Sequence, residues 1–239
     1  MKNKKTLLIT SLTSCNGCLF TILDLGQKFF DLLSRFKLLG FHLIEDEDKN
    51  ESNKIDIALV EGTVATQAEK RKLLALREKT KFLIALGACS HLGNIQKLKN
   101  YGNKEEILKK VYSNASRIEN LEIKPLSAYV AVDFIIPGCP PNKNEILEIL
   151  RQLAINRKPY LPDRPVCYEC QIKGYPCLLQ KGKPCLGPII RGGCEAICLK
   201  GNFPCTGCRG ATSEPNTKKM QELLGHKEYA RILEIFGNK

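Results

Sequence analysis

The chain has 239 residues, of which 43% are hydrophobic and 26% are charged. This is an ordinary composition for a folded protein, and the length suffices for one large domain or two smaller ones. No apolar run approaches the roughly 20 residues that cross a bilayer, so the sequence predicts no membrane span. The formal charge of +12 is typical of nucleic-acid-binding proteins. Basic residues do not cluster with aromatic ones as a base-stacking platform requires, so we expect no nucleic-acid partner.

The chain opens with a short apolar segment, TLLITSL, followed closely by the sequence CNGC. The residues LTSC resemble a lipid-attachment box, which would make this segment an export signal. However, TLLITSL is short for a signal core and is diluted by threonine and serine. We therefore interpret the segment as a first β-strand.

Strand-like and helix-like patterns alternate through residues 1–156. The predicted strands are Thr6–Leu12, Phe41–Glu45, Ile55–Val60, Phe82–Leu86 and a run near Val130–Ile136. The predicted helices are Cys18–Phe36, Thr66–Thr80, Lys104–Tyr112 and Asn142–Ile155. Such alternation predicts an α/β fold, a flavodoxin-like, doubly wound parallel sheet with helices on both faces.

The character of the sequence changes near Arg157, and residues 157–239 are predicted to form a second, small and irregular domain. Eight of the 42 residues from Cys167 to Cys208 are cysteine, and many others are glycine or proline. So little aliphatic content is not expected to form an ordinary core, which suggests that inorganic groups hold the segment together. A polar tail follows, with a helical pattern over Lys218–Phe236.

Twelve cysteines without a convincing export signal favour metal binding or redox chemistry over disulfides. Cys15, Cys18, Cys89 and Cys139 follow predicted parallel strands, whose carboxyl ends meet at one ligand-binding edge. Four thiolates from such loops suit a 4Fe–4S cluster. Zinc also accepts four thiolates. A thioredoxin-like pair is a further alternative, but it leaves Cys89 and Cys139 unexplained.

The second domain contains eight cysteines, enough for two sites of four. They are Cys167, Cys170, Cys177, Cys185, Cys194, Cys198, Cys205 and Cys208. Their spacing differs from the compact ferredoxin pattern, so two iron–sulfur clusters and two zinc ribbons both remain open on chemistry alone.

Several motifs in chain order resemble one protein family. They are TSCNGC, VEGTV, GAC, PGCPP, PCLGPIIRGGCEAIC and PCTGC. From about Lys5 to Gly210 the chain resembles the small subunit of cytosolic group 3 nickel–iron hydrogenases, which include the sulfhydrogenase delta subunit and methyl-viologen-reducing hydrogenases. In that family the small subunit transfers electrons for a nickel–iron centre that a separate large subunit carries.

The resemblance implies three clusters and assigns a set of cysteines to each. The proximal cluster would take Cys15, Cys18, Cys89 and Cys139; the distal one Cys167, Cys170, Cys177 and Cys185; and the medial one Cys194, Cys198, Cys205 and Cys208. Cys167 stands where the membrane-bound branch has a histidine, and Cys198 where that branch usually has a proline. Both differences imply three 4Fe–4S clusters bound only by cysteine.

The function implied is that of a cytoplasmic electron-transfer subunit. Its partners would be the hydrogenase large subunit and a flavin or ferredoxin-type subunit, and the isolated chain would show no activity. One alternative is a subunit of another ferredoxin-linked complex. The related respiratory complex I subunit, however, has adjacent cysteines in its first loop and no eight-cysteine domain. A zinc-stabilised nucleic-acid-binding protein is the alternative from a different class.

Four polar residues near the motifs have two interpretations each. We expect Glu61 to cap the turn, with a role in the subunit contact or in proton movement as the alternative. We expect His91 to cap the following helix or face solvent, with a hydrogen bond that tunes the proximal cluster as the alternative. Arg191 and Arg209, beside candidate ligands, could raise cluster potentials electrostatically, with ordinary surface charge as the other interpretation. The apolar stripe along Cys18–Phe36 is expected to contribute to the core and, through its aromatic residues, to the contact with the large subunit.

Overall fold

The computed structural model describes residues 4–44 and 54–238. The chain divides into two compact units, Met1–Pro159 and Tyr160–Lys239, which we call the N-terminal unit and the cysteine-rich unit. In the described part of the chain, no helix combines the length and the apolar character that a membrane span requires.

The N-terminal unit is built on a five-stranded sheet. The strands are β1 Lys5–Ser11, β2 Phe36–Phe41, β3 Ile55–Glu61, β4 Thr80–Leu86 and β5 Phe134–Ile136. All neighbouring strands are parallel, in the order β2-β1-β3-β4-β5. This is the flavodoxin-like strand order, so the predicted fold class is confirmed.

Helices lie between the strands and bury both faces of the sheet. They are α1 Gly17–Leu23, α2 Gln27–Leu33, α3 Gln67–Lys79, α4 Gly87–Leu92, α5 Lys104–Val111 and α6 Lys143–Ala154. Leu8 and Leu83 share a buried cluster with Leu73 of α3. Leu7 and Ile9, which alternate with Leu8 and so point to the opposite face, are fully buried as well. Burial on both faces is the reason why these strands are continuous apolar runs.

Helix α3 begins where its sequence predicts. The Thr66 hydroxyl accepts a hydrogen bond from the backbone N–H of Glu69, and the Glu69 carboxylate accepts one from the backbone N–H of Thr66. This reciprocal capping box satisfies two N–H groups that the first helical turn cannot pair internally.

Two predictions around Phe36 are wrong. The predicted helix Cys18–Phe36 is two short helices, separated near Gly26, which has φ +54°. The predicted strand Phe41–Glu45 is instead the strand Phe36–Phe41, after which residues 42–44 form a turn and Glu45 lies outside the described residues. Phe36 continues the helical spacing of the preceding apolar residues, but pairing with Lys5 of β1 makes it the first residue of a buried strand.

The other predicted elements of this unit differ mainly at their ends. The run near Val130–Ile136 contains only the three-residue strand β5. A 3-10 helix, Asn94–Tyr101, follows α4 and was not predicted. Its first residue, Asn94, contacts two of the candidate ligands.

The described residues of the cysteine-rich unit form short helices and no regular β-strand. Its helices are α7 Val166–Ile172, α8 Ile197–Lys200, α9 Thr217–Leu224 and α10 His226–Glu234. The predicted tail helix Lys218–Phe236 is thus two helices separated at Gly225.

This unit has more of an apolar core than the sequence suggested. Leu178, Leu186 and Ile190 are buried in one cluster with three of the cysteines. Met220 of α9 and Ile232 of α10 belong to the same cluster. The tail that looked polar therefore supplies apolar side chains which the cysteine-rich segment lacks.

Adjacent leucines on α3 test this packing. Leu73 is fully buried, whereas Leu74 is exposed. We expect Leu73→Ala to lower the free energy of unfolding by about 2–5 kcal/mol, because it removes buried methyl groups and leaves a cavity. That corresponds to a fall of at least about 4 °C in apparent melting temperature. Leu74→Ala, the matched control, should change it little; equal shifts in scanning calorimetry would contradict the packing described.

Candidate metal centres

Four cysteines lie at the carboxyl edge of the sheet. Cys15 follows β1, Cys89 lies in α4 directly after β4, and Cys139 follows β5. Cys18 lies in the first turn of α1. Because these strands are parallel, their carboxyl ends meet at the same edge, where doubly wound sheets bind ligands.

These four thiols are close enough to influence one another. The side-chain amide of Asn94 donates hydrogen bonds to two sulfurs, Cys89 Sγ at 3.2 Å and Cys139 Sγ at 3.4 Å. The charge of Cys15 acts on the pKa of both thiols, and both of them act on the pKa of Cys18. Segments up to 124 residues apart thus contribute to one group of thiols.

Gly87 is what allows α4 to approach the Cys18 sulfur. It has φ +85°, and a Cβ atom built there would lie 2.4 Å from Cys18 Sγ. Real side-chain atoms do not approach sulfur so closely, and the backbone angle itself favours glycine. The backbone N–H of Ala88 meanwhile donates to the carbonyl of Gly138 at 2.8 Å, which holds the β4 and β5 loops together.

Burial dominates the electrostatics of this group. It raises the pKa of Cys18, to which Glu61 adds, and it raises the pKa of Cys139 as well. Burial also raises the pKa of Cys89 to about 11, although the hydrogen bond from Asn94 lowers it in part. The thioredoxin-like interpretation is not supported, because Cys89 and Cys139 belong to the same group of thiols as Cys18. Thiolates here need a nearby positive charge, which bound metal supplies.

Glu61 supports the first cysteine loop from the neighbouring strand. It is fully buried at the end of β3, and its carboxylate accepts hydrogen bonds from the backbone N–H groups of Cys18 and Leu19, both at 3.3 Å. Burial raises the pKa of this carboxyl group. Glu61 therefore caps the start of α1, which is one of its two expected roles. His91 lies in the last turn of α4.

In the cysteine-rich unit, four cysteines line one pocket. These are Cys167, Cys170, Cys177 and Cys185. Their other neighbours are apolar side chains and Gly187, where a Cβ atom would lie 3.2 Å from Cys167 Sγ and 3.5 Å from Cys185 Sγ. Burial, and to a smaller extent the other three thiols, raise the pKa of Cys167 to about 12.

The remaining four cysteines act on one another's pKa values less uniformly than the four cysteines of the pocket. The charge of Cys198 acts on Cys194, and the charges of Cys194 and Cys208 act on Cys205, whose pKa is raised mainly by burial. Cys198, however, is exposed, and the thiol that acts on it is Cys185 of the other set. Cys185 Sγ also accepts a hydrogen bond from the Cys205 backbone N–H at 3.3 Å. The two sets are therefore neighbours.

Arg209 is buried, so its interpretation as ordinary surface charge is wrong. It is only 2% exposed, and its side chain donates to the backbone carbonyls of Arg191 and Gly192 at 3.2 and 2.7 Å. Its guanidinium offsets part of the effect of burial on the pKa of Cys194. Arg191 is closer to ordinary surface charge, since it is partly exposed and pairs with Asp163 at 3.1 Å.

The donor sets consist of cysteine thiols, the ligand chemistry that iron–sulfur clusters take. All twelve cysteines are free thiols. Within residues 4–44 and 54–238, no three histidine, cysteine, aspartate or glutamate side chains are arranged to hold one metal ion. Thiolates around one zinc ion lie about 4 Å apart, given Zn–S bonds of roughly 2.3 Å in a tetrahedron. A 4Fe–4S cluster binds each thiolate through a different iron, so its ligands are spaced more widely.

Comparison with known proteins identifies the class. The protein-family model of the NADH ubiquinone oxidoreductase 20 Kd subunit matches residues 15–153. Sulfhydrogenase 2 subunit delta of Pyrococcus furiosus is 40% identical over 235 residues, covering 96% of this chain and 98% of the relative. A subunit of the F420-non-reducing hydrogenase vhu of Methanocaldococcus jannaschii is 35% identical over 233 residues, covering 85% of this chain and 81% of that one.

A solved structure agrees with these relatives. The crystal structure of an NAD+-reducing [NiFe]-hydrogenase contains a chain that is 26% identical, with a TM-score of 0.59. The match covers 67% of the present chain and 96% of the other, so that neighbour is the shorter chain.

The parallel sheet and its cysteine-lined edge are thus those of an iron–sulfur subunit of an oxidoreductase that acts on hydrogen. The chain belongs to the family of small, electron-transfer subunits of nickel–iron hydrogenases, as its motifs predicted. Zinc-stabilised nucleic-acid binding is not favoured by these findings.

Two glycines provide a matched test of the sheet-edge site. We expect Gly87→Ala to lower the iron content of the anaerobically purified chain, because its methyl group would displace the Cys18 thiol. Gly26→Ala is the control, since Gly26 also has positive φ but nothing lies within 4 Å of the added Cβ. Unchanged iron in Gly87→Ala, or equal loss in both variants, would show that the close approach to Cys18 is unimportant.

Proposed function

We propose that the chain relays electrons between the nickel–iron centre of a hydrogenase large subunit and a downstream redox partner, through three 4Fe–4S clusters. The observation that carries this proposal is the arrangement of the twelve free thiols. Four lie at the sheet edge, four line one pocket, and four form the electrostatically connected set beside that pocket. Sulfhydrogenase 2 subunit delta, itself a hydrogenase subunit, matches the chain across almost its whole length.

The proposed ligands follow the three sets. Cys15, Cys18, Cys89 and Cys139 would hold the proximal cluster; Cys167, Cys170, Cys177 and Cys185 the distal one; and Cys194, Cys198, Cys205 and Cys208 the medial one. Cys198 is exposed, and its charge acts on Cys194 of the same set. The support for its assignment is the count: twelve thiols suffice for three clusters only if each one serves.

The chain itself supplies ligands and surroundings for the redox groups. Each cluster, when bound, supplies reversible one-electron chemistry. The thiolates fix its place, while Gly87 and Gly187 keep the backbone close to the sulfurs without side-chain clashes. Glu61 holds the loop of Cys18 through two backbone hydrogen bonds. The buried guanidinium of Arg209 places a positive charge near Cys194, which favours the more negative, reduced state there.

The proposed partners are a large subunit and an acceptor subunit. The large subunit would carry the nickel–iron centre. Hydrogen chemistry requires that centre, and we propose none in the present chain. The acceptor would be a flavin or ferredoxin-type subunit, and we place the complex in the cytoplasm. The isolated chain is therefore expected to show no hydrogenase activity.

Metal and sulfide analysis tests the proposal directly. Anaerobically purified chain should contain about twelve iron and twelve acid-labile sulfide per molecule, as three 4Fe–4S clusters require. About eight of each would instead indicate two clusters. Stoichiometric zinc with little iron would overturn the proposal.

Removing one sheet-edge thiol should stop the relay where electrons enter it. We expect Cys139→Ala to abolish the proximal paramagnetic signal and nearly all hydrogen-dependent dye reduction by the assembled complex. Cys177→Ala is the matched control, since it removes an equally exposed thiol from the distal set and should leave the proximal signal. If Cys139→Ala kept both the signal and the activity, Cys139 would not be a ligand.

A further inference from the structure

Asn94 is the one described side chain whose amide hydrogen-bonds two of the proposed proximal ligands. Its Nδ2 lies 3.2 Å from Cys89 Sγ and 3.4 Å from Cys139 Sγ, and the residue is only 3% exposed. One amide NH₂ group carries two hydrogens, so each sulfur can receive its own. The two cysteines come from α4 and from the loop after β5, so Asn94 links separate segments of the site.

The local backbone aims this amide at the sulfurs. Helix α4 ends at Gly93, whose N–H donates to the carbonyl of Cys89 at 3.0 Å. Gly93 and Asn94 both have positive φ, +86° and +54°, and so the chain reverses direction directly after α4. Asparagine is among the few residues other than glycine that accept this conformation readily. The same residue type therefore satisfies the turn and supplies the donor.

A second amide on the same 3-10 helix shows what a purely structural asparagine looks like. Asn100 donates to the Ile123 carbonyl at 2.7 Å and accepts from the Ile123 N–H at 3.1 Å, so both ends of its amide are satisfied. By contrast, Asn94 Oδ1 is buried and has no hydrogen-bond partner within the described structure. Leaving that oxygen unpaired carries the cost of removing it from water without a replacement hydrogen bond. The observed orientation of the Asn94 amide is therefore favourable only if the hydrogen bonds from Nδ2 to the two sulfurs are strong.

Those bonds become strong when the sulfurs carry negative charge. Thiolates accept hydrogen bonds and cannot donate them, so only the N–H side of the amide is attracted to them. Adding an electron makes the sulfurs of a bound cluster more negative, and donors then stabilise the reduced state more than the oxidised one. Hydrogen bonds to sulfur are one of the protein's means of setting cluster potentials.

We propose that Asn94 tunes the proximal cluster, raising its reduction potential by donating one hydrogen bond each to the thiolates of Cys89 and Cys139. This inference rests on the proposed function, since it requires a cluster at the sheet edge. It assigns to Asn94 the role that the sequence had suggested for His91.

The test is a redox titration of the assembled complex followed by electron paramagnetic resonance. The proximal signal is the one that Cys139→Ala abolishes. Asn94→Asp keeps the size of the side chain and removes the amide donors, while Asn94→Gly deletes the side chain and keeps the backbone conformation accessible. We expect both to lower the proximal midpoint, Asn94→Asp by about a tenfold shift in the reduction equilibrium, equal to about 59 mV for one electron. The other two signals should not move.

Asn100→Asp is the matched control, because it makes the same substitution on the same helix away from the thiols. A proximal midpoint unchanged in both Asn94 variants, or shifted equally by Asn100→Asp, would overturn the tuning role. Loss of the proximal cluster from both Asn94 variants, but not from Asn100→Asp, would also overturn it, since Asn94 would then serve assembly. If wild-type protein contains no proximal cluster, the proposed function fails first, and the metal analysis reveals this independently.

Discussion

The burial of cysteine thiols is the constraint on which the rest of this structure depends. Burial raises the pKa of Cys18, Cys89 and Cys139 at the sheet edge, and of Cys167 and Cys205 in the cysteine-rich unit. A thiolate out of water is unfavourable unless positive charge or hydrogen-bond donors compensate it. Iron would supply the charge, and the folding of each site is therefore coupled to loading it. For the same reason, thiols in these positions are poor candidates for disulfide exchange.

The two units gather their thiols by different means. In the N-terminal unit a rigid parallel sheet brings three loops to one edge, and that sheet has its own apolar core on both faces. The cysteine-rich unit has no such scaffold among its described residues. Its cysteines share one cluster with Leu186 and Ile190, and the tail contributes Met220 and Ile232. We therefore expect loss of iron to affect the second unit more, because thiols form a larger part of its core.

Buried polar side chains of different chemistry lie beside two of the three thiol sets. At the sheet edge, Glu61 holds backbone N–H groups of α1 while Asn94 turns its donors to the sulfurs. In the cysteine-rich unit, Arg209 places a buried cation beside Cys194. A neutral donor and a full charge stabilise a reduced centre to different degrees, so the proposed relay would have two independent means of setting its potentials. The NAD+-reducing neighbour shows that the fold also occurs in a shorter chain.

The sequence by itself determined the parallel sheet, through alternating strand and helix patterns, and the family, through short motifs whose resemblance implied the candidate ligands. Both signals are carried by residues close together in the chain. It misassigned Phe36, whose helical spacing was overridden by pairing with Lys5 of β1, a contact 31 residues away. It also left the role of Arg209 undecided and did not indicate a role for Asn94. Arg209 directly follows a candidate ligand in the chain, but its burial, like the contact of Asn94 with Cys139, depends on segments from elsewhere in the fold. Only tertiary structure decides which polar groups are removed from water and which atoms they then meet.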